Sequence, residues 1–379
     1  MLRSLRLIPI AFVATTLLAS CGNKALDHYN LGIDALERGD TSAALTHFES
    51  AARARPSDPD IRIDYGVALL RAGRPERAVT ELEAATSLAP DNATAHLDLA
   101  EAYKAMKDYS HARTEYERAL RLSPDLVEAA SGYGEMLMQQ GHYDEAVRQL
   151  LHAVDVKPTF ALAQFHLGWL YLKTGRPIES SHYFQRGIQD DARSNYGRRG
   201  LGESYLARGL NTDALGEFQK ALGADSTDVD AMVGIGTCEI RLGQPAAAEP
   251  VLRRAVNRAP NHALAHRELG AALGARGQYV EAVSQYRFAI QLEPGDVESY
   301  VGLGTALETA GELPDAEDAL KAGLEQAPRD PRLHYRLGLV YLDMKDTGRA
   351  RTFLETALDE CGDNAPLRAT IRAALDSVK

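Results

Sequence analysis

The chain is expected to be an all-α, right-handed α-solenoid, with ten 34-residue helix-turn-helix units over residues 25–364 and a capping helix over 365–379. Three observations predict this. The sequence is self-similar at a period of 34 that does not slip across ten units. Within each unit, small and apolar residues recur at helical spacing on two successive stripes. Between the stripes stands a glycine in eight units, and seven units end in proline.

Each element follows from side-chain chemistry. Counting from Ala25, position 8 is Gly in nine units and Ala100 in the other; position 20 is Ala in nine and Ser180 in the other. Small residues there let two helix backbones approach closely. Position 15 is Gly39, Gly73 and their counterparts, which supplies the positive φ of a tight interhelix turn. Position 32 is Pro56, Pro90, Pro124, Pro158, Pro260, Pro294 and Pro328, and proline stops a helix because it lacks an N–H. The units are 25–58, 59–92, 93–126, 127–160, 161–194, 195–228, 229–262, 263–296, 297–330 and 331–364. One helix pair has too little core to stand alone, so neighbours must stack. In the last segment Asn364 is placed as an N-cap, and Leu367, Ile371, Leu375 and Val378 share one face.

This pattern resembles the tetratricopeptide repeat, which has the same period and the same small, aromatic and proline positions. The departure is position 4, where the family has Trp and this chain has His28, Arg62, His96, Ala130, Gln164, Arg198, Met232, His266, Tyr300 and His334. His28, His96 and His334 are read as surface-leaning substitutes. The resemblance implies that the first helices line a concave face that holds partner segments.

Residues 1–20 read differently. Arg3 and Arg6 precede an apolar stretch from Leu7 to Leu18, too short at ~1.5 Å per residue to cross a bilayer, which is the layout of a secretory signal peptide. Leu18-Ala19-Ser20-Cys21 resembles a bacterial lipobox, which implies cleavage before Cys21 and a lipid on its thiol, with residues 21–24 as a short tether. Gly22 follows the cysteine, which favours outer-membrane sorting and a periplasm-facing protein. Loss of the leader takes the net charge from −11 to −13, so lipid and not charge would hold the chain at an anionic membrane.

Composition narrows the function. A net charge of −11 leaves no global basic footprint for nucleic acid, and three cysteines do not make a disulfide scaffold. Gly-x-Gly at 132/134, 200/202, 234/236 and 302/304 never extends to G-x-G-x-x-G and follows no strand, so no dinucleotide site is read from it. His262 and His266 are four apart but lack a third ligand, so no metal is expected. Cys238 is read as a small buried hydrophobe. No cofactor and no catalytic residue is assigned.

Candidate partner residues lie at positions 2, 5, 9 and 12, a face turned roughly 130° from the packing stripe. Repeat 5 places Leu162, Phe165, Leu172 and the sole tryptophan, Trp169, there, and repeat 6 adds Tyr196 and Arg199. Aromatic and Arg clusters are typical interface anchors. A weaker candidate is Arg332, Tyr335 and Arg336, a carboxylate-binding corner by arginine chemistry. Asp98, Glu101, Glu128 and Glu135 read as a solvated acidic surface, with a basic partner as the other reading. Leu26, Tyr29, Ile33, Ile63 and Val67 give repeats 1 and 2 an apolar face as well. The architecture is similar to that of tetratricopeptide lipoproteins of pilus, secretion and outer-membrane machines, which implies a non-enzymatic scaffold that binds proteins. The alternative is an adaptor or regulator of cell-wall or exopolysaccharide enzymes.

Overall fold

The computed structural model describes residues 21–378, with side chains from Lys24 onward. The predicted signal segment 1–20 and the thiol of Cys21 lie outside the described residues. The described residues form helices with no strand among them, and the chain divides into two compact units, the first ending at Thr174 and the second beginning at Gly175.

The first unit holds α1 (Cys21–Glu37), α2 (Thr41–Ala54), α3 (Pro59–Arg71), α4 (Pro75–Leu88), α5 (Ala93–Ala105), α6 (Tyr109–Leu122), α7 (Val127–Gln139), α8 (Tyr143–Val156) and α9 (Ala161–Lys173). The second holds α10 (Pro177–Asp190), α11 (Asn195–Ala207), α12 (Asn211–Ala224), α13 (Val229–Arg241), α14 (Pro245–Arg258), α15 (Ala263–Ala275) and α16 (Tyr279–Leu292). It continues through α17 (Val297–Ala310), α18 (Leu313–Gln326), α19 (Pro331–Asp343), α20 (Thr347–Glu360) and α21 (Ala365–Ser377). Within each unit consecutive helices pack on one another, and the odd-numbered first helices also touch, as in α5 on α7, α7 on α9 and α13 on α15. Several helix starts are capped by side chains: Asp40 accepts from Ala43 N, Asn92 from Ala95 N and Asn364 from Leu367 N. Each such cap contributes about 1 kcal/mol.

The interhelix turns confirm the glycine signal and extend it. Eight of the position-15 residues are glycines with φ between 68° and 83°. The two repeats without glycine put Lys107 (φ 61°) and Lys345 (φ 62°) into the same left-handed conformation, so the turn geometry is retained at a steric cost.

The Gly-x-Gly pairs have a packing cause. A Cβ on Gly202, at position 8, would lie 2.9 Å from the Phe218 ring of its own repeat. A Cβ on Gly200, at position 6, would lie 2.1 Å from the ring of Phe184, the position-24 residue of the preceding repeat. Gly132 stands in the same relation to Tyr116, Gly234 to Phe218 and Gly302 to Tyr286. Where the preceding position 24 is the smaller Leu82, Leu150, Leu252 or Leu320, position 6 is Asp98, His166, Glu268 or Arg336. After four of the five position-24 rings the next repeat thus has Gly at position 6, as close packing favours; Phe48, followed by Asp64, is the exception.

Position 4 corrects the sequence reading. His96 and His334, read as surface-leaning, are 5% and 8% exposed and belong to the interior with His266 at 5%, while His28 is half-buried. The physical reason is a two-ended polar bridge in place of the missing Trp. His96 meets Glu115 (2.5 Å) from Nδ1 and the Pro90 carbonyl (3.0 Å) from Nε2. His266 meets Gln285 (2.7 Å) and the Pro260 carbonyl (2.9 Å). Arg62 donates to Glu81 (2.5 Å) and the Pro56 carbonyl (2.7 Å), and Arg198 to Glu217 (3.0 Å) and the Ala192 carbonyl (2.9 Å). Each bridge ties a first helix to the second helix of its repeat and to the loop before it. It also gives loop carbonyls at the repeat junctions a hydrogen-bond partner.

Candidate partner-binding faces

The first helices of each unit present positions 2, 5, 9 and 12 on one face. In the first unit this face ends on α9, where Leu162, Trp169 and Leu172 are half-buried. Phe165, expected among the contact residues, is only 3% exposed; it is a packing residue that supports the face, because its ring is enclosed by the helices around it. Met138 on α7 is half-buried at the position corresponding to Leu172.

Beside this apolar strip lies a charged cluster rather than the solvated acidic surface expected from sequence. Lys104 on α5 is held by Glu101 (2.7 Å) on its own helix and by Glu135 (3.0 Å) on α7. Tyr116 donates its hydroxyl to Glu101 as well. Burial pushes the Lys104 ammonium down, but the two carboxylates outweigh it and hold its pKa above the ordinary lysine value. Burial likewise pushes Glu135 up, and the Lys104 charge and hydrogen bond hold it below the ordinary range. Asp98 is 5% exposed. Ser131 on α7 is 3.1 Å from Nδ1 of His166 on α9. Burial pushes the His166 imidazole below its ordinary value, so it is neutral at pH 7.

The second unit arranges its first-helix face differently. Arg199 on α11, expected to meet a partner, is engaged within the chain: it pairs with Asp228 (3.3 Å) and also with Asp230. Arg267 on α15 pairs with Asp296 (3.0 Å) and Glu268 (3.0 Å). The proposed carboxylate corner is filled in the same way, since Arg332 holds Asp330 (2.7 Å) and Glu298. Arg336 lies 3.8 Å from Glu308 and over the Tyr335 ring at 5.9 Å. Burial pushes Asp330 up, yet hydrogen bonds from Arg332 hold its carboxyl below the usual range. Tyr196, half-buried at position 2 of α11, belongs to this unit, so the structure describes it and Arg199 apart from the α9 residues.

The histidine pair of repeats 7 and 8 also resolves into structural roles. His262 accepts from Ala265 N at the start of α15 and lies 3.1 Å from Asp230. That bond raises the His262 pKa and lowers that of Asp230. Among the described residues no group of three His, Cys, Asp or Glu is placed to hold a metal ion. Cys238 is fully buried and Cys361 is 5% exposed, and both are free thiols. The sequence reading missed the arginine pairs because the partner acids stand at the far end of the same repeat or in an adjoining one, outside the helix on which each arginine was read. Position 5 read against position 34 of the same unit and position 2 of the next would have shown Arg199 facing Asp228 and Asp230.

Family models match along most of the chain. Models described as tetratricopeptide repeat match residues 29–93, 66–126 and 165–229, 205–273 and 275–338, and 331–364. A TPR repeat model matches 134–175. No curated protein matches the sequence. Among solved structures, the APC/C hetero-tetramer Cut9-Hcn1 is similar at TM-score 0.54 and 15% identity, over 94% of this chain and 97% of that one. A tetratricopeptide repeat protein from Parabacteroides merdae is similar at TM-score 0.52 and 19% identity, over 66% and 100%. The Pseudomonas aeruginosa pilF structure aligns at TM-score 0.49 and 19% identity, over 55% and 94%. At these identities the likeness speaks to fold alone. With stacked helix pairs, a 34-residue period and family models matched from residue 29 to 364, the chain belongs to the tetratricopeptide repeat family, whose repeats are protein–protein interaction scaffolds.

Proposed function

We propose that this protein is a lipid-anchored scaffold of the bacterial cell envelope, holding protein partners on its first-helix face during assembly of a larger pilus, secretion or outer-membrane machine. The observation that carries the location is the leader followed by Leu18-Ala19-Ser20-Cys21, with Gly22 next. Residues 21–24, expected to be a tether, instead open α1, so only about 6 Å of helix separates Cys21 from Ala25 and a lipid there keeps repeat 1 beside the membrane. The protein-binding role rests on the family and on the half-buried apolar strip of α9. Its action is non-covalent.

The experiment is cell fractionation of the wild type and Cys21→Ala, with palmitate labelling of both. The wild type is expected in the membrane fraction with label, and the variant soluble and unlabelled. A Cys21→Ala protein that stays membrane-bound through a carbonate wash would overturn the lipid anchor.

A further inference from the structure

In repeats 2, 3, 6 and 8 the residue at position 4 meets an acceptor at position 23: Arg62 meets Glu81, His96 meets Glu115, Arg198 meets Glu217 and His266 meets Gln285. Each also reaches a loop carbonyl of the preceding repeat. Repeat 1 differs on both counts. Position 23 is His47, and its Nδ1 lies 3.2 Å from Nδ1 of His28, with the ring centroids 5.5 Å apart. Both rings are half-buried, and among the described residues His28 has no second bond of the carbonyl kind.

A bond between two Nδ1 atoms needs one proton between them, donated by one ring to the lone pair of the other. A first added proton preserves this arrangement, because an imidazolium can donate to a neutral ring. A second gives both Nδ1 atoms an N–H, so the bond is lost and two like charges face each other. Repeat 3 responds differently, since a proton on His96 supplies an N–H for each of its two acceptors.

We infer that the His28–His47 contact is an acid-sensitive latch on the first repeat, closed with one proton between the rings and opened by a second, which loosens α1 from α2. Among the described residues no carboxylate bonds either ring. Lys24, one turn before His28 on α1, adds to the repulsion, and Asp27 beside His28 is exposed. On α2, Glu49 is turned toward Arg53 (2.7 Å) and toward Arg77 of α4 (3.9 Å). On α3, Asp58 caps its own helix, Asp60 is exposed, Arg62 is bonded to Glu81, and Asp64 accepts from Tyr29 of α1 (2.5 Å). Burial holds the Asp64 carboxyl above its usual range, so it binds its proton more readily folded than unfolded. Its titration therefore favours the folded repeat as pH falls, opposite in sign to the latch. The latch lies in the helix that begins at Cys21 and does not depend on the lipid proposed there.

The test is hydrogen–deuterium exchange of the purified full chain on either side of histidine titration, at about pH 7.5 and about pH 5.5, read as protection factors. A histidine of the unfolded chain takes up its proton near pH 6.5, so excluding one proton from the folded pair lowers α1 protection about tenfold at the lower pH. No such loss is expected in α5, which carries His96. His47→Glu gives repeat 1 the pairing of repeat 3 and is expected to keep α1 protected in acid. His28→Gln removes one titrating ring and is expected to abolish the pH dependence as well. Equal α1 protection at both pH values in the wild type would overturn the latch. So would an acid loss that persists in either variant whose thermal melting at the higher pH is unchanged.

Discussion

The two units use one repeat architecture and one ionic device, a cation held between two carboxylates, and differ in where they set it. In the first, Lys104 is held by Glu101 and Glu135 beside the apolar strip of α9. In the second, Arg199 is held by Asp228 and Asp230, Arg267 by Glu268 and Asp296, and Arg332 by Asp330 and Glu298. A tandem array can therefore keep its backbone periodicity while varying which repeat supplies each acid, a register that the 34-residue consensus does not encode.

The largest expected effect tests that contrast. Lys104→Met leaves two enclosed carboxylates without their cation and is expected to destabilise the first unit by about 3 kcal/mol. Arg267→Met removes a cation about twice as exposed (27% against 14%) and costs about 1 kcal/mol. Denaturant unfolding of both variants measures the difference; equal losses would mean that the two faces are built alike.

Next comes the size match between repeats. Gly200→Ala drives a methyl into the Phe184 ring and is expected to cost about 1–3 kcal/mol. Gly216→Ala, in the middle of α12 with open space around it, should add up to about 1 kcal/mol of stability. Thermal melting separates the two signs.

Lys107→Gly and Lys345→Gly, one in each unit, relieve left-handed backbone at exposed turns. Each is expected to stabilise by about 1 kcal/mol, because the steric cost of positive φ is absent in glycine. A loss of stability on calorimetry would show that these lysines make contacts that outweigh the strain.

The smallest effect is a pH dependence of opposite sign in the two units. His166 has its pKa depressed by burial, so its contribution is present above about pH 6.5 and is lost as the unfolded state gains protons below it. His262 has its pKa raised, first by the hydrogen bond to Asp230, so its contribution is full below 6.5 and is lost as pH rises through the raised value. Hydrogen exchange at pH 6 and pH 8 should show α9 better protected at the higher pH and the start of α15 better protected at the lower. Asp230→Asn should abolish the second trend only.

Much of this architecture was legible because it depends on residues that repeat at fixed positions. The glycine turn, the proline stop and the small residues at positions 8 and 20 are local constraints, and each appears in the sequence as a column. The features that escaped depend on pairs. His96 reads as a surface residue until Glu115 and the Pro90 carbonyl are placed at its two nitrogens. Gly200 carries no meaning apart from Phe184 in the preceding repeat. The candidate face was half legible for the same reason. Trp169 and Leu162 sit on the expected side of α9, but a projection of one helix could not show that neighbouring helices enclose Phe165, nor that Asp228 and Asp230 occupy Arg199.

The central claim is that partners engage the first-helix face of the repeats, where the apolar strip of α9 lies. Hydrogen–deuterium exchange of the full chain, free and with a partner purified from envelope, tests it most directly. The account predicts new protection in the first helices around α9, with the second helices of the repeats unchanged. Protection confined to the arginine-bearing helices of the second unit, or to the second helices of the repeats, would contradict it.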